Sequence, residues 1–273
     1  MSTHGTAVAV HDPAVIAPAT STTIPVTIVI PAWNEGAQLP ELLRTLGWAD
    51  QVIVADRGSS DDTLAIARAH GAVVIERAGE TIAAQRNRAI AGAAHEWVFA
   101  LDADERIPDA LRRELAQVLA APAASAYRVR RQSVFLGRER RRGHWRRDWQ
   151  VRLFRREFRF LPLRVHERLE PVADLGTLRA PLRHTPYRDL RHQLDKMLVY
   201  ARWGAEDLFA HHRRARLWEL GARPLWRFVR DYVVYGSCLD GAYGLLTSAL
   251  TAWSCFLKYA YLWELGRRPG APP

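Results

Sequence analysis

Between residues 26 and 101 the apolar positions change period in a regular rhythm. Val26-Thr-Ile-Val-Ile30 is almost wholly apolar and β-branched, as a strand buried on both faces requires. From Pro40 to Leu46 the period changes: with Leu39 before them, Leu42, Leu43 and Leu46 recur at helical spacing. Gln51–Ala55 reads as a second strand, and Gly58-Ser-Ser-Asp61 as a loop whose Ser and Asp suit a helix N-cap. Helix 61–70, strand 72–75, helix 81–93 and strand 96–101 continue the alternation. Strands alternating with helices predict an α/β fold with a parallel, doubly wound sheet.

From about residue 105 the rhythm changes. A helix over 108–120 precedes a strand at Ala126–Arg130, and 131–185 reads as irregular, dense in Arg, Trp and His. A break near 186–190 leads into a helical, aromatic and basic remainder. The pattern therefore divides the chain into a lead-in (1–24), an α/β domain (25–185), a helical extension (186–266) and a Gly/Pro-rich tail (267–273). The lead-in, rich in Ala, Thr, Ser and Pro, has the composition of a disordered segment.

Composition narrows the setting. Of the 273 residues, 48% are hydrophobic and 25% charged, enough for a substantial core. Lys and Arg exceed Asp and Glu by 39 to 29, so the chain is drawn to polyanions: nucleic acid, anionic lipid headgroups or phosphorylated substrates, among which charge alone does not choose. Two cysteines, Cys238 and Cys255, give neither a disulfide framework nor metal-ligand spacing. With no basic leader, and with Pro13 and Pro18 interrupting the apolar residues, the N-terminus does not read as a secretory signal. A cytoplasmic location is the expectation.

Candidate chemistry sits at three expected strand ends: Pro31-Ala-Trp-Asn34-Glu35, Asp56-Arg-Gly-Ser-Ser-Asp61 and Asp102-Ala-Asp104-Glu105. In open α/β sheets the ligand crevice lies beyond the carboxyl ends of the strands. Any one of these acids alone is as readily a helix cap. Together, Asp102 and Asp104 can converge past the strand end on one hard cation, Mg²⁺ or Mn²⁺, completed by diphosphate oxygens and water. Acids on the first two ends would then hold a uracil and a ribose. That arrangement suits a nucleoside-diphosphate ligand.

These residues resemble the pattern of glycosyltransferase family 2, on a GT-A (Rossmann-like) fold. The likeness extends to its lipopolysaccharide-core β-1,4-glucosyltransferase-like branch. There it rests on Gly47-Trp-Ala-Asp-Gln-Val-Ile-Val54, Ala84-Gln-Arg86-Asn87, Leu101–Glu105, Asp148-Trp-Gln-Val-Arg-Leu-Phe154, Val165-His-Glu167 and Phe256–Glu264. The resemblance implies an inverting, metal-dependent transfer of a hexose, glucose from UDP-glucose, to a lipopolysaccharide inner-core sugar or a related lipid-linked, anionic envelope glycan. It implies nucleotide-sugar contacts from Pro31, Asn34, Glu35, Asp56 (to the uracil), Gly58, Arg86 (to the diphosphate) and Asp102. It also implies a metal at Asp104 and Asp102, with His166 as a third ligand or, equally, a hydrogen-bonded structural histidine. Two departures stand out: Arg57 in place of the usual Ser, and Trp149 where an Arg often follows the aspartate.

Inversion needs a base for the acceptor hydroxyl. Asp148, opening its motif beyond the metal site, is the first candidate and Glu167 the second; a plain ion pair of Asp148 with Arg146 or Arg147 is the competing reading. His184 is a weaker candidate ligand. The Arg138–Arg147 run, with Trp145 and Trp149 among its charges, suits a phosphorylated acceptor, and Arg146, Trp149 and Arg152 are the expected acceptor contacts. No RNA-binding signature accompanies it, so no nucleic-acid partner is expected. Leu225–Tyr235 mixes aromatics with Arg, as a helix at a bilayer interface does, and the uncharged Gly241–Leu257 is expected as an interfacial or re-entrant hairpin. The extension is thus read as peripheral to the inner membrane. Two other readings stay open: a family 2 transferase with another donor and acceptor, and a basic non-enzymatic nucleic-acid or membrane-binding module.

Overall fold

The computed structural model describes residues 23–140, 142–143, 145, 148–162 and 167–267, so much of the expected lead-in and tail lies outside the described residues. Strand β1 (Ile24–Ala32) leads through helix α1 (Leu39–Arg44) to β2 (Ala49–Asp56). Then follow α2 (Thr63–Ala69), β3 (Val73–Glu76), α3 (Ile82–Ala91) and β4 (Trp97–Ala100). These four strands lie side by side in the order β3-β2-β1-β4, all parallel.

The apolar run of β1 explains its central place. Ile28 and Ile30 pack on one face with Leu39, Leu42 and Leu46, while Val29 faces Ile53, Ala89 and Ile90 on the other. Both faces are dry, so the strand needs no polar alternation. The chain leaves β1 toward β2 and β3 on one side and returns to β4 on the other. The ends of β1 and β4 therefore flank a topological switch point, where an α/β sheet opens its crevice.

Past β4 the chain forms β5 (Glu105–Arg106), α4 (Asp109–Ala120) and the long β6 (Ala126–Phe135). Next come β7 (Arg138–Glu139), β8 (Trp149–Arg155), β9 (Leu175–Thr177) and β10 (Leu182–His184). Strand β8 lies antiparallel between β4 and β6, and the sheet continues through β10 to β5. The reading of 131–185 as irregular is corrected here: β6 runs on to Phe135 and four more strands follow. Arg131, Gln132 and Ser133 hid the strand because they interrupt its apolar alternation. Arg131 and Ser133 instead bond Asp148 and His184.

The remainder is helical: α5 (Leu190–Ala210), α6 (Leu217–Val229), a π-helical turn (Arg230–Val234), a 3₁₀ turn (Ser237–Asp240) and α7 (Ala242–Leu265). Helices α5 and α6 both pack on α7. The expected hairpin within Gly241–Leu257 is not there; α7 is one continuous helix. The polar residues that interrupt its apolar run are packed inward, Ser248 donating to Asp231 at 2.9 Å and Thr247 to the Tyr243 carbonyl at 2.8 Å. Gly244 is needed at the close approach, since a Cβ there would sit 1.7 Å from the Ser237 carbonyl oxygen. Among the described residues no helix is long and apolar enough to cross a membrane.

Candidate active site

The loops after β1 and β2 are knitted by their own side chains. Asn34, at φ 55° in the left-handed region that Asn tolerates, donates its N–H to Ser59 Oγ at 2.8 Å and accepts from the Ser60 N–H at 2.9 Å. Asp56 is 2% exposed and accepts from the N–H groups of Gly58 (2.7 Å) and Ser59 (2.8 Å). The turn demands φ +103° at Gly58, open to glycine alone at little cost. Asp61 accepts from the Gly36 N–H at 3.0 Å. Arg57, one of the two departures from the family pattern, stacks over Trp33 at 4.4 Å.

Helix α3 fastens this end of the sheet through three successive side chains. Gln85 donates to the carbonyls of Ala32 (3.1 Å) and Ala55 (2.9 Å), tying the ends of β1 and β2. Arg86 grips Asp102 Oδ1 at 2.5 Å and Glu167 Oε2 at 3.1 Å. Asn87 makes a two-way bond with the Phe160 backbone, at 2.9 and 2.7 Å, and so anchors the stretch that leads toward Glu167.

Asp102 is the middle of an alternating chain of charge. Its Oδ2 accepts from Arg152 at 2.6 Å, and Arg152 also bonds Glu105 at 2.5 Å. Arg131 lies 3.5 Å from Glu105 and pairs with Asp148 at 2.7 Å. The order is Glu167–Arg86–Asp102–Arg152–Glu105–Arg131–Asp148, four carboxylates against three guanidiniums. Burial opposes the charge on Asp102, but Arg152 and Arg86 outweigh it and hold the carboxyl far below the usual range. Beside this chain stands Asp104, with His184 Nε2 at 3.6 Å, an ion-pair separation beyond hydrogen-bond length. Burial pushes the Asp104 carboxyl up, and His184, together with Lys196, brings it below the usual range. Glu35 is pushed up to about 7, first by burial and then by repulsion from Asp104, which Lys196 of α5 partly offsets.

Residues 27–189 match the family model described as glycosyl transferase family 2. The chain belongs to this family. The Rhizobium meliloti lipopolysaccharide core biosynthesis glycosyltransferase LpsC is 27% identical over 88% of this chain and 93% of its own. An uncharacterised glycosyltransferase of Rickettsia typhi is 23% identical over 85% and 84% of the two chains. Among solved structures, S. aureus TarS covers 89% of this chain and 91% of its own at 15% identity and a TM-score of 0.48. Glucosyl-3-phosphoglycerate synthase of Mycobacterium tuberculosis, solved with Mn²⁺, UDP and glucosyl-3-phosphoglycerate, is 25% identical with a TM-score of 0.32. That match spans 41% of this chain and 44% of the synthase, under half of each.

Of the site residues named from the sequence, Arg86, Asp102, Asp148 and Glu167 are links of one network, with Asp104 and Glu35 beside it. Membership of the family also removes the reading as a non-enzymatic module. Arg152 needs correction as an acceptor contact, because it is 3% exposed and serves as a strut between Asp102 and Glu105. The competing partners named for Asp148, Arg146 and Arg147, lie outside the described residues, as does the proposed ligand His166; Asp148 pairs with Arg131. Trp149 keeps a half-exposed ring, with Arg128 stacked 5.0 Å from its centre. A cavity of about 590 Å³ lined by Glu96, Arg155, Arg156 and Arg159 lies by the start of β4, away from these strand ends, and holds none of these residues. Glu105, Arg131 and Lys196 were missed as site residues. The acid three positions after Asp102 and the arginine breaking the β6 alternation were the available signals; nothing local marked Lys196.

Proposed function

We propose that this chain is an inverting, metal-dependent hexosyltransferase that moves glucose from UDP-glucose to a lipopolysaccharide inner-core sugar, or a related lipid-linked envelope glycan, at the cytoplasmic face of the inner membrane. The observation that carries the reading is the charge chain from Glu167 to Asp148, which runs through Asp102 at the switch point of the sheet. Likeness to LpsC along nearly all of both chains supports the envelope acceptor.

The donor set fits a divalent cation that arrives with its substrate. Both Asp102 oxygens are engaged by arginines, Asp104 has His184 at 3.6 Å and no closer ion-pair partner among the described residues, and no group of three ready ligands stands among them. Mg²⁺-like ions are held in this way, by one or two carboxylates with substrate phosphates completing the shell. Asp104, with Asp102, would hold the ion, which when bound neutralises charge on the leaving diphosphate. Pro31, Asn34, Glu35, Asp56 and Gly58 shape the nucleoside side of the crevice, and Arg86 faces the diphosphate.

In the transfer, a carboxylate takes the proton of the acceptor hydroxyl, whose oxygen bonds the anomeric carbon as the bond to UDP breaks and its electron pair leaves with the diphosphate. We assign the base to Glu167. Arg131 and Gln150 draw on both oxygens of Asp148, at 2.7 and 2.8 Å, whereas among the described residues Glu167 receives one bond, from Arg86. Asp148 is the alternative, and Trp149 the acceptor-side ring. Incubation with UDP-glucose and truncated lipopolysaccharide core, with the product's anomeric configuration read by NMR, tests the reaction. An inverted linkage is expected, with Glu167→Gln lowering kcat by about a thousandfold and Asp148→Asn by far less. Retention of configuration, or the reverse ranking of the two variants, would overturn the mechanism or the assignment.

A further inference from the structure

Helix α6 and the π-turn that continues it are built inside out. Glu219, Arg223, Arg227 and Asp231 recur every fourth residue along one row. Glu219 is fully buried, bonded by Arg213 at 2.5 Å and Arg223 at 2.6 Å, and Asp231 is buried against Ser248 of α7. Arg223 also lies over the Tyr259 ring of α7 at 4.8 Å. The charged row thus faces the protein.

The opposite rows are apolar except at Arg230, which is half-buried. Leu217, Trp218, Leu225, Trp226, Val233 and Val234 are each 60–64% exposed, and Gly221 and Ala222 fill the gap between them. A four-residue spacing keeps these positions on one broad face. Over these 18 positions the stripe extends about 25 Å. An ordinary surface helix turns such residues to the core; here they face out, and the ion pairs take the core side.

We infer that this stripe is a membrane-insertion face, lying in the plane of an anionic leaflet with its two tryptophans at headgroup depth. The inference rests on the membrane placement proposed above and names the surface that makes it. Charge complementarity selects a lipid surface over a second copy of the chain. Between residues 211 and 267 there are eight Lys and Arg and four acids, and two of those acids, Glu219 and Asp231, are buried. The helical region is therefore net cationic, with Arg216 and Arg267 exposed and Arg214, Arg230 and Lys258 half-buried, which attracts anionic headgroups and sets two copies against each other. Tryptophan and arginine beside an apolar stripe are the composition of an interfacial helix.

The test is flotation of the full chain with vesicles of phosphatidylethanolamine and phosphatidylglycerol (3:1), and with neutral phosphatidylcholine vesicles. The wild type is expected to float with the first and at least tenfold less with the second. The double substitution Leu225→Glu, Trp226→Glu should cut flotation at least tenfold and leave the UDP titration unchanged, which also shows that the variant folds. Independently of any variant, brominated acyl chains should quench wild-type tryptophan fluorescence. Wild-type protein left at the bottom with anionic vesicles and unquenched would overturn the inference. So would a variant that floats as well as wild type, or a wild-type dimer that the double substitution turns into a monomer. Failure to bind UDP by protein that floats would sink the proposed UDP-sugar donor and spare the insertion face.

Discussion

At the ends of β1 and β4, carboxylates and guanidiniums gather at a crevice while the strands behind them are almost wholly apolar. On α6 the order is reversed, with the charged row against α7 and the apolar rows outside. Both regions use the same currency of Arg and acidic side chains. In the first, burial of the apolar run drives folding and the charges are left where a ligand meets them. In the second, ion pairs hold the inner face, and the apolar surface gains nothing from the fold itself. A polarity pattern thus has meaning only relative to what each face meets.

The largest effect separating the two regions is catalytic. Asp104→Ala should lower transfer at least about a thousandfold, roughly 4 kcal/mol of barrier, with the thermal midpoint within a few degrees of wild type. Retained turnover in this variant would remove the strand-end site from the mechanism. Next comes stability within the charge chain. Glu105 is fully buried, so Glu105→Gln leaves Arg152 with one carboxylate and should cost about 3 kcal/mol by urea unfolding. The apolar halves of the comparison give a matched pair: Leu42→Ala, in the sheet core, should cost about 3 kcal/mol, and Leu225→Ala, on the outer stripe, within about 0.5 kcal/mol. Equal losses would mean that α6 is covered by protein.

The smallest effect is a pH dependence. Glu35, with its folded pKa near 7 and an unfolded value near 4.5, binds more protons folded than unfolded between those limits. Its contribution is most favourable below about pH 4.5 and is lost as pH rises through 7. Measured in EDTA between pH 5 and 8, wild type should lose about 1 kcal/mol more than Glu35→Gln, the figure being reduced for the partial exposure of the group. Parallel pH profiles would mean that the carboxyl is neither buried nor crowded by Asp104.

Much of this was legible in the chain. The alternation from Val26 to Leu101 marks the parallel half because buried strands and amphipathic helices have different periods. The strand-end acids and the Gln85-Arg86-Asn87 run could be singled out as motifs, yet the tying of two strand ends by Gln85 is a contact across more than 50 residues of sequence. Arg152 was misread because its burial depends on β8 lying between β4 and β6, which no local pattern states. The hairpin expected in 241–257 failed for a similar reason. Thr247 and Ser248 look like interruptions in isolation; Thr247 bonds carbonyls of α7 itself, and the partner of Ser248, Asp231, is known only once α7 packs on the preceding turns.

The central claim is that the charged strand ends form a nucleotide-sugar site. Calorimetric titration with UDP, with and without Mn²⁺, on wild type and Asp104→Ala tests it most directly. The account predicts binding to wild type that depends on Mn²⁺ and weakens at least tenfold in the variant. No binding by folded wild-type protein under either condition, or binding indifferent to both the metal and Asp104, would contradict it.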